Sequence, residues 1–149
     1  MKKILILSFF ALALSALAAG SFTVSGSLGY AGGINGGIEA SWDCQLFQPA
    51  KGKLRPTVDL EYGAGGFQGA FLMRHVFPIG TEGLGLGGGV GLRYDAGVQA
   101  YLRGDLEYSL QSALDLPLIA GADVGYAYGF GGAPREVVAH LKLGYNFKF

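Results

Sequence analysis

Strict alternation of apolar and polar side chains is the feature of this sequence that most limits its fold. Over residues 137–149, Val137, Ala139, Leu141, Leu143, Tyr145, Phe147 and Phe149 take every second place, with His140, Lys142, Asn146 and Lys148 among the residues between. A period of two sends successive side chains to opposite faces of an extended chain. Residues 98–110 repeat the pattern: Val98, Ala100, Leu102, Leu106, Tyr108 and Leu110 share one face, and Gln99, Arg103, Asp105, Glu107 and Ser109 share the other. The same reading predicts strands at 22–30, 37–47, 54–64, 67–77, 84–94 and 118–130, which with 98–110 and 137–149 makes eight. Gly, Pro and Asn cluster between them at 31–35, 49–52, 65–66, 78–80, 95–97, 113–117 and 131–134. Past the leader no stretch offers an apolar face at helical spacing, so consecutive strands are predicted to pair as hairpins. The expected fold is all-β: an eight-stranded antiparallel up-and-down transmembrane β-barrel.

A soluble barrel also alternates, with its large apolar side chains inside, so the facing has to be argued. Segments of about 9 to 11 residues, tilted, match the hydrocarbon core of a bilayer, whereas strands of soluble proteins run to about 5 or 6. Tyr30, Phe47, Phe67, Phe77, Tyr94, Tyr108, Tyr126, Tyr128 and Phe130 gather near strand ends, where amphipathic rings sit at headgroup level. The apolar face is therefore expected to meet lipid. The interior of an eight-stranded barrel is just wide enough for side chains to fill. Gly85, Gly87, Gly89 and Gly91 on the inner face leave room for long partners. Parity sends Glu39, Asp43, Asp59, Glu61, Arg74, Arg93, Asp95, Arg103, Asp105, Glu107, Asp123 and Lys142 inward, four cations against eight carboxylates. Cut off from bulk water, such ions persist when paired and hydrogen-bonded.

Residues 1–18 read as a cleaved signal peptide: Lys2 and Lys3, an apolar run over 4–14, then Ala16 and Ala18 at alternate places, leaving a barrel domain of 19–149. Eleven Lys and Arg balance eleven Asp and Glu, which argues against a nucleic-acid partner. The single cysteine, Cys44, closes no intramolecular disulfide, and no Cys/His cluster has zinc spacing, so no cofactor or metal is expected. Cys44 shares parity with Trp42 and Leu46 and reads as a small lipid-facing residue. Arg103-Gly104-Asp105 looks like an adhesion tripeptide, but both charges fall inside mid-strand. The glycine pattern at 83–88 lies within a strand, without the helix that a phosphate cradle needs. His140 reads as a hydrogen-bonded filler of the interior, and His75 as an interfacial residue.

The C-terminal run Lys142-Leu143-Gly144-Tyr145-Asn146-Phe147-Lys148-Phe149 resembles the terminal strand of bacterial outer-membrane β-barrels. With its length, the whole chain after the leader is similar to the small eight-stranded members, the transmembrane domain of OmpA and OmpX. The resemblance implies an outer-membrane location among its lipids. It also implies recognition by the barrel-assembly machinery through Lys142, Gly144, Phe147 and Phe149. It places the connections near 31–36, 64–66, 95–97 and 131–136 outside the cell, and all four are short for surface binding. A lipid-modifying member of that family has a His-x-Ser pair; here Val76 and Phe77 follow His75, and Leu141 and Lys142 follow His140. No catalytic residue is identified, and the chain is expected not to be an enzyme. Three functions remain: a structural envelope protein with a closed, charge-paired interior; a narrow, weakly cation-selective, porin-like channel; or a lipid-modifying or ligand-binding barrel.

Overall fold

A strand whose backbone is half exposed to lipid has to find all its hydrogen bonds in neighbouring strands, and closure into a barrel achieves this without leaving an edge. The structure, a computed structural model that describes residues 20–44, 49, 51–80 and 82–148, has that closure. Its strands are β1 (Ser21–Ala31), β2 (Ile34–Trp42), β3 (Lys53–Gly63), β4 (Gly66–Pro78), β5 (Leu84–Tyr94), β6 (Val98–Ser109), β7 (Leu118–Gly129) and β8 (Glu136–Lys148). Each pairs antiparallel with the next, and β8 returns to β1 from Ser21↔Lys148 to Ala31↔Val138. One helical turn, α1 (Gln111–Leu114), follows β6 and ends on Asp115 in the left-handed region at φ 54°. The expected leader 1–18, and Phe47 and Phe149, lie outside the described residues.

The alternation expected of each strand faces as the sequence suggests. Leu28, Ile38, Leu60, Val90, Leu102, Val124 and Leu141 all point outward and are exposed. Around one rim stand Tyr30, Tyr62, Phe67, Tyr94, Tyr128 and Phe130, also exposed. The purely apolar core is small: Leu72, Tyr101, Ala127 and Val138 with Ala31. Most of what is buried is polar or charged, Glu39, Arg74, Arg93, Arg103 and Asp123 among them. This is the reverse of a soluble barrel.

Three details differ from the sequence reading. The first hairpin closes earlier than its run of small residues suggests. Ala31 N–H donates to the Gly33 carbonyl (3.0 Å), Gly32 takes φ 64°, and Ile34 and Asn35 enter the ladder opposite Tyr30 and Gly29. β2 therefore spans Ile34–Trp42 instead of 37–47. Cys44 consequently lies beyond β2, half-buried, with its N–H on the Leu54 carbonyl (2.8 Å), and is no strand residue. Trp42, on the outward parity of β2, is buried.

At the end where β1 starts and β8 finishes, the connections are 43–52, 79–83 and 110–117; at the opposite end β3 and β4 are joined through Ala64 and Gly65. Leu102 sits in mid-strand and is 56% exposed. Leu102→Arg should destabilise the barrel in a bilayer by about 2 to 4 kcal/mol, the cost of a cation near the midplane. Urea unfolding of the protein folded into liposomes measures it.

Candidate functional site in the barrel interior

Ionised side chains in a narrow lumen are held by one another or not at all. Here they form one continuous ladder along the barrel. At the end shared by the starts of β1 and β3, Asp43 accepts from Ser21 Oγ (2.7 Å), Lys53 Nζ (2.5 Å) and Arg55 Nε (2.9 Å). Asp43 lies outside the strands. Burial pushes its carboxyl up, but Arg55, with Lys53 and Ser21, outweighs that and holds it below the usual carboxylate range. Arg55 Nη1 donates onward to Glu107 (2.5 Å), whose other oxygen accepts from Arg74 Nη2 at 3.2 Å. Arg74 forks onto Asp105, with Nε at 3.0 Å and Nη2 on the second oxygen, and reaches Glu39 through Nη1 at 3.3 Å.

Mid-barrel, Glu39 accepts from both Arg103 and Lys142. Arg103 Nη1 also donates to Asp59 (2.7 Å), its Nε lies 3.7 Å from Asp123, and Lys142 Nζ stands 2.6 Å from Asp123. Arg103 thus faces three carboxylates and its side chain is wholly buried. His140 bridges upward, Nδ1 to Asp123 at 2.9 Å and Nε2 to Glu61 at 2.8 Å. Glu61 accepts from Asn35 Nδ2 (2.5 Å) and lies 3.9 Å from Arg93 Nη2. Arg93 completes the ladder on Gln68 (2.6 Å) and Glu136 (2.5 Å).

Glycines make room for these arms. A Cβ on Gly89 would stand 2.7 Å from Arg74 Cγ, and one on Gly37 would stand 2.8 Å from Glu61 Cγ. One on Gly87 would collide with the Asp105 carboxylate, and one on Gly29 with the His140 ring. Gly91 has no such ionic neighbour. There a Cβ would meet the β4 backbone, 2.7 Å from Leu72 Cα.

Of the charges assigned inward from parity, the structure brings Glu39, Asp43, Asp59, Glu61, Arg74, Arg93, Arg103, Asp105, Glu107, Asp123 and Lys142 into this ladder. Asp95 opens the β5–β6 turn, its N–H on the Gly97 carbonyl (3.0 Å), and its side chain is hydrogen-bonded to Glu136 at the end of the ladder. The sequence reading passed over Arg55, Lys53, Glu136 and the amides of Asn35 and Gln68. Arg55 was findable, since it shares parity with Asp59 and Glu61. With these additions six Lys and Arg face eight carboxylates among the described residues, and His140 sits between two of the eight.

The proposed assembly residues divide by face. Lys142 belongs to the ladder, and a Cβ on Gly144 would meet the side chain of Ser25, 2.9 Å from its Cβ. Phe147 points outward, its ring 4.7 Å from Tyr145 and 6.4 Å from Phe22. Phe149 lies outside the described residues. No group of three or more His, Cys, Asp or Glu suited to a metal ion occurs among the described residues. His75 Nε2 contacts the Lys51 carbonyl at 2.8 Å.

No protein-family model matches the sequence, and no curated relative is detected. Solved structures do share the fold. The N-terminal β-barrel domain of Pseudomonas aeruginosa OprF aligns with a TM-score of 0.54 at 16% identity, covering 87% of this chain and 98% of that one. The outer-membrane enzyme PagL aligns with a TM-score of 0.58 at 18% identity, covering 85% and 99%. The Yersinia pestis outer-membrane protein Ail aligns with a TM-score of 0.56 at 12% identity, covering 86% and 99%. The chain has the fold of the small eight-stranded outer-membrane β-barrels. One of these neighbours corrects the sequence reading: PagL is an enzyme, so the expectation that a chain of this architecture is not one does not stand.

Removing one partner of a buried ionic cluster leaves the others uncompensated. Arg103→Leu should strip Glu39, Asp59 and Asp123 of a shared cation and cost about 3 to 5 kcal/mol. The midpoint of urea unfolding from liposomes should fall accordingly.

Proposed function

We propose that this protein is an outer-membrane barrel whose lumen is locked by its own charges and whose role in the envelope is structural. The observation that carries this reading is how little space the ladder leaves. Amid Glu39, Arg55, Arg74, Glu107, Asp123 and Lys142 the free volume is about 20 Å³, room for about one water molecule. A guanidinium engaged by two or three carboxylates does not move aside cheaply. The outward apolar face and the rim of Tyr and Phe suit a bilayer with headgroups at the strand ends. The outer-membrane neighbours support the same location. On this reading residues 1–18 direct export. Lys142, Gly144, Phe147 and Phe149 present the closing strand to the barrel-assembly machinery, and outer-membrane lipids surround the belt.

A second reading, a narrow and weakly cation-selective porin-like channel, draws on the excess of carboxylates over Lys and Arg in the lumen. The excess is smaller than the sequence suggests, because Arg55 and Lys53 join the ladder. Single-channel recording of the refolded protein in planar bilayers decides between the two. A flat baseline is expected; reproducible cation-selective steps would establish the channel instead.

A further inference from the structure

The lumen is not filled evenly along its length. Below the Arg55–Glu107 bridge, towards the end where β8 finishes, an open vestibule of about 460 Å³ lies beside the last rung, Lys53–Asp43, a size in the range of small-molecule sites. Its inward positions change character. Where mid-barrel carries carboxylates and guanidinium groups, this part carries Val76, Pro78 and Ile119 on its wall. Such a wall left to water forgoes about 25 cal/mol for every Å² it could bury.

The polar lining is lopsided. Lys53 and Lys148 stand in the lining, and Lys148 is exposed. Among the described residues, Lys53 Nζ donates to Asp43 and Lys148 Nζ to Gln111, each at 2.5 Å, and an ammonium has three donors. Glu107, the carboxylate at the floor, is occupied by Arg55 and Arg74. Glu82 in the neighbouring turn lines an adjoining cavity together with Lys148. Asn146 adds a side-chain oxygen that is buried without a hydrogen-bond partner among the described residues. Its amide can turn to offer N–H instead.

An apolar wall beside two exposed ammonium groups matches one kind of molecule. We propose that the vestibule binds a single-chain anionic amphiphile, with its carboxylate or phosphate head at Lys53 and Lys148 and its aliphatic chain along Val76, Pro78 and Ile119. The Arg55–Glu107 bridge is the floor, so the ligand enters and leaves by the same mouth and does not cross the barrel.

Isoleucine methyl NMR of the protein in lipid nanodiscs tests this, because Ile119 reports from the vestibule while Ile34 and Ile38 report from the outward face. Titration with octanoate, and separately with octyl phosphate, should shift Ile119 saturably and leave Ile34 and Ile38 in place; a response to either anion supports the site and tells which head it takes. Octanol, which has the chain without the charge, should bind about tenfold more weakly or worse, and Lys148→Gln should weaken the anion alone by about the same factor. No saturable shift at Ile119 with either anion would overturn the proposal. So would equal shifts at Ile34 and Ile38, or octanol binding as well as octanoate. The test does not depend on conductance, so a flat electrical trace and an empty vestibule remain separate results.

Discussion

The need to pair every charge enclosed in a narrow tube is the constraint on which the rest of this structure depends. A lone ion in a low-dielectric interior is costly by several kcal/mol even after relaxation. Eight strands leave a lumen that holds side chains and little else. Arg103 shows how both demands are met together. From β6 it reaches Asp123 on the adjacent β7 and, across the tube, Glu39 and Asp59 on the neighbouring strands β2 and β3. Arg74, Lys142 and His140 do the same at other levels, so the ladder ties opposite walls at successive heights. Glycine distribution follows from this. Gly29, Gly37, Gly87 and Gly89 stand where a long arm from another strand crosses or lies, and a methyl group there would displace it.

The outer surface obeys a different solvent with the same backbone. A period of two lets one strand carry Arg103 and Asp105 inside while Leu102 and Leu106 stand outside. A slip of one residue would reverse every such assignment, which is why the register is so strongly specified. Antiparallel closure through β1 and β8 removes the edge that would otherwise expose unpaired N–H and C=O groups to lipid. The fold therefore needs little of a conventional apolar core, and Leu72, Tyr101, Ala127 and Val138 supply what there is.

Much of this was legible in the sequence because alternation is a local signal. β6 and β8 are nearly continuous period-two runs, and the inward glycines of β5 are visible by eye. What escaped depends on geometry that sequence spacing does not carry. The start of β2 was misplaced because Ile34-Asn35-Gly36-Gly37 reads as turn chemistry, whereas pairing with β1 draws it into the sheet. Asp95 opens the β5–β6 turn, and its hydrogen-bonding partner is a second carboxyl, Glu136, which charge counting does not anticipate. Arg55 needed no such geometry, since it falls within the strand read at 54–64 with the parity of Asp59 and Glu61. Which carboxylate meets which cation is fixed by the stagger of strands around the tube, and no linear pattern encodes that.

The likeness to OprF, PagL and Ail is a likeness of architecture, which leaves function to be decided by the lumen and its mouth. Both rest on one claim, that apolar side chains look out and charged ones look in along every strand. Spin labels placed one at a time along β6, Val98–Ser109, in liposomes test it most directly. Accessibility to oxygen dissolved in the bilayer should rise at Ala100, Leu102, Gly104 and Leu106 and fall at Tyr101, Arg103 and Asp105. An oscillation of opposite phase, or none, would contradict it.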